Sequence, residues 1–132
     1  MRFVDTSFLV ALFFEGDSNH VPAKKLWQGR AGALLCSNHV IGETWTFLRR
    51  HRGHRHALRV IDAVTTSPSL TVVRLEQAAE DEAWEWLRRH DEREYSFVDA
   101  TSFAVMRRRR LREALAFDGD FAAAGFVEAR PD

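Results

Sequence analysis

Met1-Arg2-Phe3-Val4-Asp5-Thr6-Ser7 opens the chain, and the reading of these residues decides the fold. Phe3 and Val4 suit a short buried strand, and Asp5 sits where that strand stops. Thr6 and Ser7 lead into an apolar run, Phe8 to Phe14, that ends at Glu15 and Gly16. Ser7 to Phe14 is most simply a buried helix packed on a sheet. In open α/β sheets, ligands gather outside the carboxyl ends of the strands. An acid at the tip of the first strand is therefore well placed for chemistry. Asp is also a preferred helix N-cap, so Asp5 taken alone supports a structural role equally well.

Further along, strand and helix signals alternate. Gly16 to Asn19 reads as a turn, and a short helix follows from about Val21, with Pro22 in its first turn. Gly29 to Gly32 breaks it. Ala33-Leu34-Leu35-Cys36 is a short apolar run of the kind found in fully buried parallel strands. Ser37 and Asn38 are N-cap candidates for a helix carrying Val40, Ile41, Thr44, Phe47 and Leu48 on one face, with Glu43 at its flank. Arg49 to His56 reads as a basic hinge before a second helix that ends at Ser67-Pro68. Leu70 to Val73 is another strand candidate, and Glu76 to His90 carries the clearest helical stripe, through Ala79, Ala83, Trp86 and Leu87. Ser96 with Asp99 approximates a capping box at the head of a further buried helix. Glu113 to Phe117 leads into a strand ended by Asp118-Gly119-Asp120; Phe121 to Ala124 suits one helical turn, and Gly125 to Glu128 a last strand. The alternation predicts one α/β domain over residues 1–132, a three-layer α/β/α sandwich with a mostly parallel central sheet.

Composition narrows the function classes. With 132 residues and 45% apolar content, the chain can bury a proper core and is not a disordered one. Its 19 basic and 19 acidic residues balance. Lys24 and Lys25 are the sole lysines, so the basic charge is nearly all arginine, whose planar fork suits phosphate. The lone cysteine, Cys36, rules out an internal disulfide. The apolar run 8–14 is too short to span a membrane and lacks a cleavage site, so a cytoplasmic location with no membrane partner is expected. His51, His54 and His56 could suggest a metal, but neighbouring arginines would repel a cation, and a solvated or phosphate-facing turn is the better reading.

Asp5, Glu43, Asp99 and Asp118 each follow a strand or open a helix, with Asp120 alongside the last. Convergent carboxylates repel by about 4 kcal/mol per pair at ~4 Å in an effective dielectric of ~20, so such a pocket needs protons or cations. Hard oxygen donors select Mg²⁺ or Mn²⁺, which can activate water against a phosphodiester and steady the leaving oxygen.

Asp-Thr-Ser after the first strand, a Glu in the helix after the second, Ser-Phe-Val-Asp-Ala-Thr-Ser-Phe-Ala-Val-Met, and Ala-Phe-Asp-Gly-Asp-Phe with Ala-Gly-Phe form an ordered set across the whole chain. That set resembles the PIN domain, and within it the VapC-type ribonuclease toxins of bacterial toxin–antitoxin pairs. The resemblance implies a PIN-like fold and Mg²⁺- or Mn²⁺-dependent endonucleolytic cleavage of RNA to a 5′-phosphate and a 3′-hydroxyl. It also implies a small antitoxin partner and a homodimer. It places Asp5, Glu43 and Asp99 as metal-binding acids with a fourth acid near the last strands; the four catalytic acids are then Asp5, Glu43, Asp99 and Asp118, and Asp5, Asp99 and Asp118 are the ligands expected on the metal. Asp120 competes with Asp118 for the fourth place. Ser7 would hydrogen-bond a water on the ion, or Asp5. The family often has Thr two residues before the fourth acid, where this chain has Ala116, and that leaves the anchoring of the loop open. Arg49, Arg50, Arg52, Arg107 and Arg108 are candidates for sequence-independent contacts to the RNA backbone, or equally for ordinary surface or an antitoxin-facing patch.

Other readings fit less well. A haloacid-dehalogenase-like phosphatase wants a second Asp at position 7, which is Ser; a response-regulator receiver wants a late Lys, and none follows Lys25. A non-catalytic PIN-like module would be expected to lack one of the acids. A housekeeping RNA-processing nuclease of the same family remains the alternative to a toxin.

Overall fold

The computed structural model describes residues 1–29 and 32–132. Strands β1 (Arg2–Val4), β2 (Leu34–Ser37), β3 (Leu70–Val73), β4 (Glu113–Leu115) and β5 (Val127–Glu128) alternate with helices α1 (Thr6–Phe13), α2 (His20–Gln28), α3 (Asn38–Arg52), α4 (His54–Thr65), α5 (Gln77–Arg89), α6 (Phe97–Arg108) and α7 (Asp120–Ala123). The sheet is parallel throughout, in the order β3-β2-β1-β4-β5. The chain builds outward from β1 to β3, then crosses to the other side of β1 to add β4 and β5. Such a reversal opens a crevice at the carboxyl ends of the two strands where it occurs, here β1 and β4. The Val4↔Leu115 register and the Asp5 N–H donating to Leu115 O (3.0 Å) hold the two strand tips side by side. Asp5 and the loop carrying Asp118 are therefore neighbours by topology.

The expected elements are present, with small shifts at their ends. The strand expected over Ala33 to Cys36 runs from Leu34 to Ser37, and β4 stops at Leu115, two residues short of Phe117. Of the break expected over Gly29 to Gly32, residues 30 and 31 lie outside the described residues, while Gly29 caps α2 by donating to Lys25 O (3.0 Å). The basic hinge is the main difference. Arg49 to Arg52 are the last turn of α3, where cations favour the helix dipole, and the whole change of direction falls on Gly53 at φ 91°. The nearby histidines serve separate tasks: His51 Nδ1 bonds Phe47 O (2.9 Å), His56 Nε2 bonds Phe13 O (3.2 Å), and His54 meets the edge of Trp45.

One hydrophobic core runs through the sheet and the helices that cover it. Helix α1 is apolar almost all round and buried, as a central helix should be. Cys36 is buried too, which pushes its thiol up to about 12 and leaves it inert at neutral pH. Helix α6 is fixed by aromatic packing around Phe103, which is fully buried against Trp86 (5.1 Å between centroids), Phe121 (4.9 Å) and Phe126 (5.6 Å). Phe103 lies one turn beyond Asp99, so this cluster ties the position of that acid to α5, α7 and the approach to β5. Phe103→Ala should cost about 3–5 kcal/mol, read by chemical denaturation. A loss below about 1 kcal/mol would deny Phe103 that role.

Candidate metal centre

Each central acid owes its position to a helix cap or a turn. Asp5 caps α1, its Oδ2 accepting from the Ser7 N–H (3.1 Å) and the Ser7 hydroxyl (2.6 Å). Asp99 completes a capping box on α6: its Oδ2 accepts from the Ser96 N–H (3.0 Å), while Ser96 Oγ accepts from the Asp99 N–H (2.9 Å). Asp118 closes the turn after β4 by accepting from the Asp120 N–H (3.0 Å). The capping role and the chemical role are thus compatible. A carboxylate has more lone pairs than a cap uses, and one carboxylate oxygen from each of Asp5, Asp99 and Asp118 lies within 4.8 Å of the other two. Asp5 and Asp99 are buried, and Asp118 forms the open side.

Burial and crowding both disfavour charge here. Asp5 is held well above the ordinary carboxylate range, by burial first and then by the charge of Asp118. Asp99 is raised to about 7, by burial first and then by Asp118 and Asp120. Asp118 is raised as well, again by burial, then by Asp120 and Glu128. Among the described residues no arginine, lysine or histidine forms an ion pair with any of the three. Three oxygen donors with unrelieved negative charge fit a hard divalent cation such as Mg²⁺ or Mn²⁺. They do not fit a thiophilic one.

The Asp118 loop is anchored without the Thr that Ala116 replaces. Ser7 Oγ, while donating to Asp5, accepts from the Phe117 N–H (3.0 Å) and so clamps the loop to the head of α1. Arg130 donates to Ala116 O (2.8 Å), and its guanidinium lies 4.8 Å from the centre of the Phe117 ring. The nearly buried Glu128 carboxylate takes the Gly119 N–H (3.3 Å), the Ala122 N–H (3.1 Å) and an Arg130 N–H (3.1 Å). Asp120 turns to Arg93, with contacts of 2.9 and 3.0 Å. Asp118 faces the other two acids; Asp120 stands behind it, paired. Arg93, Glu128 and Arg130 escaped the sequence reading because their partners lie far off in the chain or are backbone groups. The one available hint was an acid inside the last strand.

Glu43 is not within the group of three. It is exposed on α3, yet it lines a cavity of about 400 Å³ together with Asp5, Ser7, Asp118, Phe47 and Phe117. A smaller hollow of about 200 Å³ shares Glu43 and Phe47 and continues along α3 to Arg50 and His51. Arg49, Arg50 and Arg52 are exposed on that helix. The second basic run is partly neutralised across α5, Arg107 by Glu82 (3.7 Å) and Arg108 by Glu76 (3.9 Å).

The sequence profile of the PIN domain matches residues 2–127. Over 135 aligned positions covering 100% of both chains, this chain is 58% identical to the 23S rRNA-specific endonuclease VapC20 of Mycobacterium tuberculosis, in strains H37Rv and CDC 1551 / Oshkosh. The crystal structure of M. tuberculosis VapC20, described as a sarcin–ricin loop cleaving toxin, superposes with a TM-score of 0.95 at 56% identity over 99% of this chain and 100% of that one. A toxin–antitoxin complex from Klebsiella pneumoniae shares the fold, with a TM-score of 0.69 at 16% identity over 98% and 97% of the two chains. A match running from the first strand into the last, with a full-length relative identical at more than half of its positions, makes this chain a member of the PIN domain family.

Proposed function

We propose that this chain is a metal-dependent endoribonuclease, the toxin of a toxin–antitoxin pair, and that it hydrolyses a phosphodiester in the sarcin–ricin loop of 23S rRNA. The observation that carries the chemistry is the convergence of one carboxylate oxygen each from Asp5, Asp99 and Asp118 within 4.8 Å, with no ion pair to any of the three among the described residues. The substrate rests on the full-length likeness to VapC20. Such a substrate places the protein in the cytoplasm; no described helix is long and apolar enough to cross a membrane.

In this reading Asp5, Asp99 and Asp118 hold Mg²⁺ or Mn²⁺, which supplies charge stabilisation and an activated water when bound. Ser7 fixes the rotamer of Asp5 and, through the Phe117 N–H, the distance between the first and third acids. Glu43 stands across the cavity as a fourth acid, able to orient water or the substrate. Asp120 is a supporting group held by Arg93. Arg49, Arg50 and Arg52 take backbone phosphates along α3, while Arg107 and Arg108 do so less because Glu82 of α5 and Glu76, its N-cap, already pair them. A small antitoxin silences the enzyme by covering the crevice. A homodimer forms through apolar surface that includes Trp84, 46% exposed and packed on Phe97 at 4.5 Å between centroids.

Asp99→Asn keeps an oxygen for the Ser96 cap and removes the charge. It should reduce cleavage of a sarcin–ricin hairpin by more than about a hundredfold with circular dichroism unchanged; wild-type turnover by the folded variant would sink the assignment. Stability should report the same site. The folded pKa of Asp99, about 7, lies above the unfolded value, so the folded state holds extra proton between about pH 4 and 7, and metal-free stability must fall as pH rises through that window. In EDTA the melting temperature should drop from pH 5 to pH 8, less so in Asp99→Asn. Millimolar Mn²⁺ should raise it, and more at pH 8 than at pH 5; a metal effect equal at both would contradict ligation by these acids. Sedimentation of Trp84→Glu should give a monomer where the wild type is a dimer, and an unchanged distribution would remove Trp84 from the interface.

A further inference from the structure

The lining of the cavity of about 400 Å³ is of two kinds. Asp5 and Asp118 belong to the group of three acids, whereas Val10, Phe47 and Phe117 are apolar and stand in the same lining as Asp17 and Asn19. We propose that the apolar part of this cavity is a nucleobase subsite, which takes an amino-bearing base (adenine, guanine or cytosine) next to the scissile phosphate, with Phe47 as its aromatic wall. The inference rests on the ribonuclease reading for the identity of the polymer, though not for the chemistry of the pocket.

The size falls in the range of small-molecule sites, about 300–1,000 Å³. A phosphate is the wrong occupant for the apolar part, because Asp17 would repel it and no arginine or lysine is among the described lining residues; the sugar–phosphate chain is better served by the adjoining hollow, where Arg50 stands. A base presents an apolar face for the rings and an edge for the acceptors, and enzymes that take in an unstacked base read it by these two means. Exocyclic amino groups complement the Asp17 carboxylate and the Asn19 amide oxygen. Uracil, with carbonyls in those places, does so less well.

The walls are already rigid. Phe47 is stacked on His51 (4.0 Å between centroids) and braced by the edge of Phe14 (5.8 Å). Phe117 lies against Phe8 (6.1 Å) and under Arg130 (4.8 Å). The Asn19 N–H donates to Asp17 Oδ1 (2.8 Å) and fixes that carboxylate in its turn. Thr6, another residue of the lining and only 8% exposed, has a buried hydroxyl with no hydrogen-bond partner among the described residues. An orphaned buried hydroxyl is costly, and a bound nucleotide would supply it with a partner.

The test is an NMR titration of the Mg²⁺-loaded protein with the 5′-monophosphates of adenosine, guanosine, cytidine and uridine, and with ribose 5-phosphate. The amino-bearing nucleotides should shift the Val10 methyl and the Phe47 and Phe117 ring resonances, and bind about tenfold tighter than ribose 5-phosphate. Phe47→Leu, which keeps apolar bulk against Phe14, should erase that advantage, and Phe47→Trp should retain it. Equal binding of ribose 5-phosphate would overturn the subsite, and equal binding of the uridine nucleotide would overturn its amino selectivity. On a sarcin–ricin hairpin, Phe47→Leu should lower kcat/KM by about tenfold and Phe47→Trp should spare it. Since the titration needs no turnover, failure of the wild type to cut RNA would remove the proposed activity while leaving the subsite to stand or fall on the nucleotides alone.

Discussion

Mutual repulsion among Asp5, Asp99 and Asp118 is the constraint around which the molecule is built. Left to themselves, three carboxylates would separate into water. Here each is fastened by backbone N–H groups at the start of a helix or turn, and the fastenings belong to three separate segments of chain. The parallel sheet brings those segments together, because its order reverses between β1 and β4. Ser7 then locks the gap, one hydroxyl bridging Asp5 and the Phe117 N–H. The cost of burying and crowding them is visible in the raised proton affinity of all three acids, burial being the larger cause. A divalent ion held by the three would remove that cost, and metal binding would then be coupled to folding.

The helix caps show how one residue satisfies two demands. A cap needs one oxygen and tolerates Ser, Thr, Asn or Asp; the pocket needs a second oxygen and a charge. Asp satisfies both, so a structural excuse for Asp5 or Asp99 was never evidence against chemistry. The same economy explains why Asp120, beside Asp118 in sequence, does not substitute for it. Its carboxylate is committed to Arg93.

The sheet, its parallel sense and most elements were legible in the sequence because short apolar runs bounded by turn residues leave few alternatives. Phe3-Val4 and Leu34 to Cys36 are plain cases. Asp5, Asp99 and Asp118 were legible because each stands at an element boundary or within one turn of it. Where reading failed, the reason is physical. Helix α3 runs on through Arg52 because a cationic last turn suits the dipole, and Gly53 alone makes the corner. The anchors of the Asp118 loop were invisible because Arg130 and Glu128 act mainly through backbone groups, and main-chain partners leave no pattern in side-chain identity. Glu43 was read with the three aspartates; only the path of α3 shows it outside their group, exposed on the lining of a cavity that Asp5 and Asp118 also line.

The supports of the Asp118 loop lie at positions 128–130, after the loop itself in order of synthesis. A polypeptide still emerging from the ribosome has made every acid of the crevice before it has made the residues that hold the third one in place. The clamp from Ser7 is available as soon as the loop is made, but the anchors from Glu128 and Arg130 follow only once the final segment has been translated and docked beside it.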